Sequence, residues 1–449
     1  MKLALFSPLP PSRSEVGNNV VAVARALAGM ADLTLWTDQA EVGPEVMDIA
    51  PVQRYAAGAV DYGRLNDADA VVYAIGNNAD FHRAIFDIAR TTPGVMVLHD
   101  TRLQHFFARY REVEGVDRMF YFDAMRRSYG LKGERDARAC LAGEIGLDAL
   151  VTRYPMTAAV ADYGLCTVVH NEAEQRILAG QTWWPVHYLP LAFAAGPMLD
   201  KIPGDGVLRV IVFGFIGANR RLPSILEALA GLWEDAIMLD IYGQLDDPGE
   251  LEELVARYGL QDRVRWHGFV DDLSAALRRA DLAINLRYPS MGEASASQLR
   301  IWDAALPALV TRTGWYAALP EDTVFFVEPE DEVGTLRKHL RAACRDLAPF
   351  RRAGQRGRAI LEQRHLPFDY ARGLLGIAEQ AKGQHRRRSA SDLSRSVAQK
   401  LAACTDERGI ALCAQTVAER IAELSGVLDA ETSPAVEPLI TRAATAASR

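Results

Sequence analysis

Arg287-Tyr288-Pro289-Ser290-Met291-Gly292-Glu293-Ala294-Ser295-Ala296-Ser297-Gln298-Leu299-Arg300 decides the fold. It follows the apolar run Leu282-Ala283-Ile284-Asn285-Leu286, which reads as a buried strand. After it comes a helical pattern through Leu299, Trp302 and Ala305. Leu306-Pro307 and a second strand, Ala308-Leu309-Val310-Thr311, complete a β-α-β unit. Ligands of open parallel sheets bind at the carboxyl ends of the strands. The first turn of the helix offers free N–H groups and the positive end of its dipole. Ser295 and Ser297 add hydroxyls, with Tyr288, Gly292 and Ala294 in the same loop, so a phosphate or diphosphate suits the site. Glu293 is the odd residue. A carboxylate there repels phosphate but suits the hydroxyls of a sugar attached to it.

These residues resemble the nucleotide-binding half of retaining, family-four-like glycosyltransferases of the B-type fold. That family includes many bacterial transferases of polysaccharide and lipopolysaccharide synthesis. Its members open this helix with a Glu-rich loop, often E-x7-E; the first Glu faces the donor sugar and the second binds the ribose. Glu293 fits the first position. Arg300 takes the second, after a one-residue shortening judged from Pro307. The resemblance implies an α/β protein with two facing Rossmann-like parallel-sheet domains (the GT-B fold). To these the chain adds a helical insertion and a helical C-terminal tail.

The rest of the composition sets bounds. A chain of 449 residues holds two or three domains. With 49% hydrophobic and 24% charged residues it reads as an ordinary soluble protein. A net charge of -8 argues against a general nucleic-acid binder. The five cysteines (Cys140, Cys166, Cys344, Cys404, Cys413) are scattered, with no C-x-x-C pair. Neither a disulfide framework nor a zinc site follows, and a reducing cytoplasm fits. The apolar start meets Pro8 too soon for a signal peptide. No run of about 18 apolar residues occurs.

Residues 1–193 read as a first, acceptor-side domain. Lys2–Phe6 is a strand, followed by a loop from Ser7 to Asn19 and then a helix with Val20, Val23, Ala24 and Leu27 on one face. Relatives carry a Gly-containing loop here that approaches donor and acceptor. Ser14-Glu15-Val16-Gly17 is a loose match with Gly17 alone, and a plain connecting loop is the competing reading. Strands at Leu33–Trp36, Ala70–Ile75 and Val95–Leu98 alternate with helical patterns, as a parallel sheet requires. Their ends, Gly76-Asn77 and His99-Asp100, sit on the ligand face. Both resemble the same subfamily, in which the His lies near the donor sugar and acceptor. A satisfied structural histidine is the bland alternative.

Residues 102–160 read as a helical insertion. Its first part mixes aromatics (Phe106, Phe107, Tyr110, Phe120, Tyr121) with arginines (Arg102, Arg109, Arg111, Arg126, Arg127). Packing on the first domain is the simpler reading. Peripheral contact with a membrane surface, or with the acceptor, is the other. A strand at Leu165–Val169 and the segment Val186–Leu191 close the domain, and 194–206 is a Gly/Pro linker.

The second domain, 207–365, opens with the strand Val207–Phe213. Gly214-Phe215-Ile216-Gly217-Ala218-Asn219-Arg220-Arg221 follows. Two glycines admit a diphosphate and an arginine can fork onto its oxygens. In relatives a Gly-Arg pair stands in this loop, with a Lys one turn on. Arg220 takes the Lys position, and Arg221 is the candidate for the absent loop Arg. Ile237–Tyr242 ends at Gly243. Gly268-Phe269-Val270 matches a segment that in relatives lies against the base. Residues 366–384 fit the helix that crosses back to the first domain. His385-Arg386-Arg387-Arg388 reads as a linker leading into a helical extension (385–428). The extension carries an apolar stripe from Ile410 to Leu424, and a tail (429–449) with the composition of disorder follows. The stripe either docks on the chain's own core or makes a homo-oligomer by helix pairing.

The resemblance implies transfer of a hexosyl or deoxyhexosyl group from a nucleoside-diphosphate sugar to a glycan or lipid-linked glycan. The anomeric configuration is retained and no metal or other cofactor is needed. The enzyme would be cytoplasmic, or peripheral to the inner face of the membrane. Glu293 and His99 are the candidate catalytic residues. Gly17, Asn77 and Asp100 line the acceptor side. Asp67-Ala68-Asp69 has the spacing of a metal motif but precedes its strand, at the wrong end of the sheet. None of the six lysines stands where a pyridoxal Schiff base would need it. Two rivals stay open: a sugar-nucleotide epimerase of the same fold, and a non-catalytic nucleotide-sugar-binding scaffold.

Overall fold

The structure, a computed structural model, describes residues 1–56, 59–112, 119–198, 200–202, 205–389 and 392–393. The stripe from Ile410 to Leu424 and the tail 429–449 lie outside the described residues.

Two parallel sheets form the frame. The first contains β1 (Lys2–Phe6), β2 (Asp32–Thr37), β3 (Val52–Arg54), β4 (Ala70–Ile75), β5 (Val95–Leu98), β6 (Cys166–Val169) and β7 (Val186–Tyr188). Their order is β3-β2-β1-β4-β5-β6-β7. The second contains β8 (Leu208–Phe213), β9 (Ile237–Tyr242), β10 (Val264–Trp266), β11 (Leu282–Asn285), β12 (Ala308–Thr311) and β13 (Phe325–Val327). Their order is β10-β9-β8-β11-β12-β13. The central strands are apolar along most of their length because helices cover both faces of each sheet. Strand order reverses between β1 and β4 and again between β8 and β11. Such reversals open a crevice at the carboxyl ends of the strands. The two crevices face each other.

The stretch between β5 and β6 is helical, with Gln104–Tyr110, Met119–Leu141, Leu147–Arg153 and Thr157–Ala161. Phe106, Phe107, Tyr110 and Tyr121 are buried here. Phe106 and Phe107 meet Phe86 edge-on at 5.5 and 6.0 Å. These aromatics anchor the insertion to the first domain and are not available to a lipid surface.

The chain crosses between domains twice, and the two passes are stitched together. Phe193 N donates to His365 O at 2.8 Å, and His365 Nδ1 lies 2.7 Å from Leu191 O. Beyond the second pass, the helix Pro367–Lys382 buries Tyr370, Ala371, Leu374 and Ile377 in the core of the first domain. The basic run after it is not a linker. Residues 385–389 are helical and Arg388 is buried. Its guanidinium bonds Asp162 O and Gly164 O and lies over Trp184. Among the described residues no helix is long and apolar enough to cross a membrane.

Candidate active site

The loops after β8 and β11 meet at the reversal point of the second sheet. Gly214 and Gly243 adopt φ +108° and +124°. A Cβ on Gly243 would stand 1.9 Å from Gly214 O, so only glycine lets the two strand ends close on each other. Gly217 has ordinary extended backbone and leads into a single 3-10 turn, Ala218–Arg220. That turn buries Arg220. Its guanidinium donates to Phe213 O at 2.6 Å, Phe215 O at 3.3 Å and Ser297 Oγ at 3.4 Å, and also bonds Asn285 Oδ1. Burial, and then the neighbouring Arg287, pull its pKa down to about 9. Arg220 therefore clamps the two loops, which differs from the diphosphate fork expected of it. Arg221 is also engaged elsewhere: its Nε reaches both oxygens of the buried Glu332, at 3.0 and 3.2 Å.

From the β11 side, Tyr288 N donates to Asn219 O at 2.8 Å and leaves its ring half exposed. Arg287 is the residue that sequence reasoning left without a role. Its Nε lies 3.0 Å from Glu293 Oε1, and its Nη1 reaches Asn219 Oδ1 at 3.4 Å. Burial opposes its charge, but Glu293, Tyr316 and Asp100 together hold its pKa above the ordinary arginine value. Glu293 also accepts from Met291 N at 2.7 Å and from Ser290 Oγ at 3.3 Å. Gly292 has φ +76°, and Ala294 is half-buried beside the start of the helix Ala296–Asp303. Ser295 is the N-cap of that helix, accepting from Gln298 N at 3.1 Å. It is buried and so spent on the fold. Ser297 is half-buried, next to Arg220 and Gly214.

The first domain closes over this loop. Thr101 N and Arg102 N both donate to Met291 O at 2.9 Å. Arg102 in turn forks onto Glu174 at 2.7 and 2.8 Å. Asp100 is half-buried and accepts from Asn77 N at 2.8 Å. Burial and the facing Glu293 raise its pKa to about 7, against the pull of Asn77 N–H and Arg287. His99 stacks on His170 with centroids 4.9 Å apart. Burial, then His170 and His82, keep it neutral by pushing its pKa well down. Its Nε2 has no hydrogen-bond partner. Asn77 is a bracket rather than an open ligand, since its Oδ1 takes Phe106 N at 3.1 Å. Gly17 lies inside the helix Glu15–Ala28, not in a loop, and packs where a Cβ would stand 2.8 Å from Pro8 O.

On the other flank, Gly243 N donates to Gly268 O at 2.7 Å. Phe269 is about half exposed, with the Arg13 guanidinium of the first domain 4.2 Å above its ring. Val270 is half-buried beside it. Among the described residues no group of three or more His, Cys, Asp or Glu side chains is placed to hold a metal ion.

Two arginines and two carboxylates thus converge where two Rossmann-like sheets face each other, with His99 next to Asp100 in the chain, the architecture of a two-domain glycosyltransferase. Residues 208–346 match the family model "Glycosyl transferases group 1". The second domain is a domain of that kind. Solved structures share the fold of most of the chain. Sucrose-phosphate synthase from Thermosynechococcus elongatus aligns with a TM-score of 0.60 at 15% identity, covering 85% of this chain and 98% of that one. Anabaena HepE in complex with UDP gives 0.58 at 14% identity, covering 84% and 99%. WaaG, a glycosyltransferase involved in lipopolysaccharide biosynthesis, gives 0.52 at 15% identity, covering 82% and 98%. No curated protein sequence matches the chain.

Proposed function

We propose that the chain transfers a sugar from a nucleoside-diphosphate sugar to a glycan or lipid-linked glycan, with retention and without a metal. The observation that carries this reading is the pair of arginines, buried Arg220 and half-buried Arg287, at the β8–β11 reversal point. Between them and the first domain stands Glu293. Charge that builds on a leaving diphosphate is stabilised by preorganised positive groups in a site closed to water. Glu293 then holds sugar hydroxyls, and His99, neutral and half-buried across the cleft, meets the sugar or the incoming acceptor. The glycine-lined floor at Gly214 and Gly243 lets a diphosphate lie against backbone. HepE, with this fold, holds UDP and, in another complex, UDP-glucose. WaaG acts in lipopolysaccharide biosynthesis. The first supports a nucleotide-sugar donor and the second a cell-surface glycan acceptor. Exposed Arg127, Leu131, Lys132 and Arg135 on the insertion suit work at the inner face of a membrane.

The test is a thermal-shift panel of nucleoside diphosphates and their sugars in EDTA, followed by transfer assays with the donor that binds. A selective rise in melting temperature, then an axial or equatorial product matching the donor, supports the reading. Conversion of the donor alone, without acceptor, would indicate the epimerase. Binding with no turnover on any acceptor would favour the scaffold.

A further inference from the structure

Arg220 is buried and Arg287 half-buried, and their guanidiniums are used differently. A guanidinium carries five N–H donors, and a purely structural one is consumed by acceptors. Arg220 fits that description: four acceptors surround it, two of them backbone carbonyls. Arg287 does not. Its Nε stands 3.0 Å from Glu293 Oε1 but lacks the direction of a hydrogen bond. Its side-chain bond to Asn219 Oδ1 is long at 3.4 Å, and its other polar neighbour is the neutral Tyr316 hydroxyl. The remaining charged neighbours are Asp100, an anion only in part near neutral pH, and the repelling Arg220. Glu293, by contrast, is firmly held by Met291 N–H and Ser290 Oγ–H, so it stays in place if Arg287 moves.

We propose that Arg287, not Arg220, is the residue that forks onto the donor diphosphate, and that Glu293 occupies it until the donor arrives. Donor binding exchanges the partners. The diphosphate takes the guanidinium, as a doubly charged group with paired oxygens outcompetes one misdirected carboxylate. Glu293 is thereby released to accept hydrogen bonds from the sugar. The exchange ties the two halves of donor recognition together, because a nucleotide without its β-phosphate leaves Glu293 paired. The inference rests on the nucleotide-sugar reading above. Arg287 is a ligand of the diphosphate, and toward the sugar it acts as a positioning residue through Glu293.

The experiment is calorimetric titration of the full chain with UDP, GDP, ADP, CDP and dTDP, then with the monophosphate of the base that binds. Glu293→Gln keeps an oxygen for Met291 N–H but loses the charge. It is expected to tighten the diphosphate about three- to tenfold by freeing Arg287, and to leave the monophosphate within about twofold. In an Arg287→Gln background the same change is expected to give no gain. A gain that persists there would reduce the effect to plain repulsion by Glu293 and overturn the exchange; so would no gain in the single variant. Arg287→Lys gives an independent arm, as it keeps the charge and loses the fork. It should weaken the diphosphate about tenfold more than the monophosphate at unchanged melting temperature. An unchanged ratio would overturn the proposal. Failure of the wild-type chain to bind any of the five nucleotides would remove the nucleotide-sugar reading and this inference with it. Binding without these shifts removes the inference alone.

Discussion

At Asp100 burial and a facing carboxylate act against ionisation, and the consequence can be read as a pH slope. The folded carboxyl keeps its proton up to about pH 7, whereas the unfolded one releases it near 3.8. Between those values the folded state binds more protons than the unfolded state. The stabilisation is therefore complete below about pH 4, declines through the window, and is gone above about pH 7. Asp100→Asn retains an oxygen for Asn77 N–H and has no such slope. Its melting temperature should gain on wild type as pH rises from 4 to 7, by the equivalent of roughly 3 kcal/mol. Parallel melting curves across that range would show that the proton is not held. A second residue is decided by shape alone. Gly243→Ala places a methyl group 1.9 Å from Gly214 O at φ +124°. Denaturant unfolding should show a loss of more than about 3 kcal/mol, since backbone on both sides must move.

Among the elements, the loop from Arg287 to Ser295 joins the two domains. It is built on β11, yet Met291 O takes two N–H groups from the first domain. Gly292 makes that contact fit, because a Cβ there would stand 1.8 Å from Thr101 Oγ1. Gly292→Ala should leave the second domain folded, at a cost of about 1–2 kcal/mol for the left-handed backbone. It should lower transfer at least about tenfold by undocking the loop from its partner domain. Thr101→Ala in the same chain should restore part of the rate, and no restoration would argue that the loss is backbone strain only. This loop also marks where sequence reading succeeds and stops. Leu282–Asn285 and Ala308–Thr311 were legible because parallel strands buried on both faces are nearly continuous apolar runs, and both sheets followed from such runs. Strand β3, three residues at the sheet edge, carries too short a pattern to register. Ser14 has the chemistry of an N-cap and could have moved the first helix start to Glu15; the proline-rich loop before it masked that signal. The arginines were harder. Arg220, Arg221 and Arg287 all follow strands, and only packing reveals that Glu332 holds one, carbonyls consume another, and the third keeps donors to spare. Arg388 likewise answers to carbonyls more than two hundred residues away, which no local pattern encodes.

Across the whole molecule, the site exists only when both sheets face each other, so the two chain crossings control it. Besides the pairing of Leu191–Phe193 with His365, the hinge has one buried charged knot. Arg358 donates to Asp303 Oδ1 and to Gly196 O, both at 2.6 Å, and to Glu362 Oε1 at 2.7 Å. Asp303 closes the circuit by accepting Gly196 N at 2.9 Å. The linker is thus pinned to two helices of the second domain, Ala296–Asp303 and Ala348–Arg364. One of those helices begins at the loop that carries Glu293. Linker position and donor loop are therefore tied to one body, the second domain. Removing Arg358 leaves Asp303 without its countercharge in a partly buried place, where burial already raises its pKa. Such a loss costs about 2–4 kcal/mol. Arg358→Ala should accordingly lower the unfolding midpoint and make the linker around Gly196 sensitive to limited proteolysis, while nucleotide affinity in the folded protein stays within about twofold because the diphosphate site lies at the other end of the helix. Transfer should fall more than binding, because catalysis needs the first domain held in register over Glu293. Equal losses of binding and transfer would place the hinge inside the donor site itself, and a protease-resistant linker in the variant would show that the knot is not what holds the crossing.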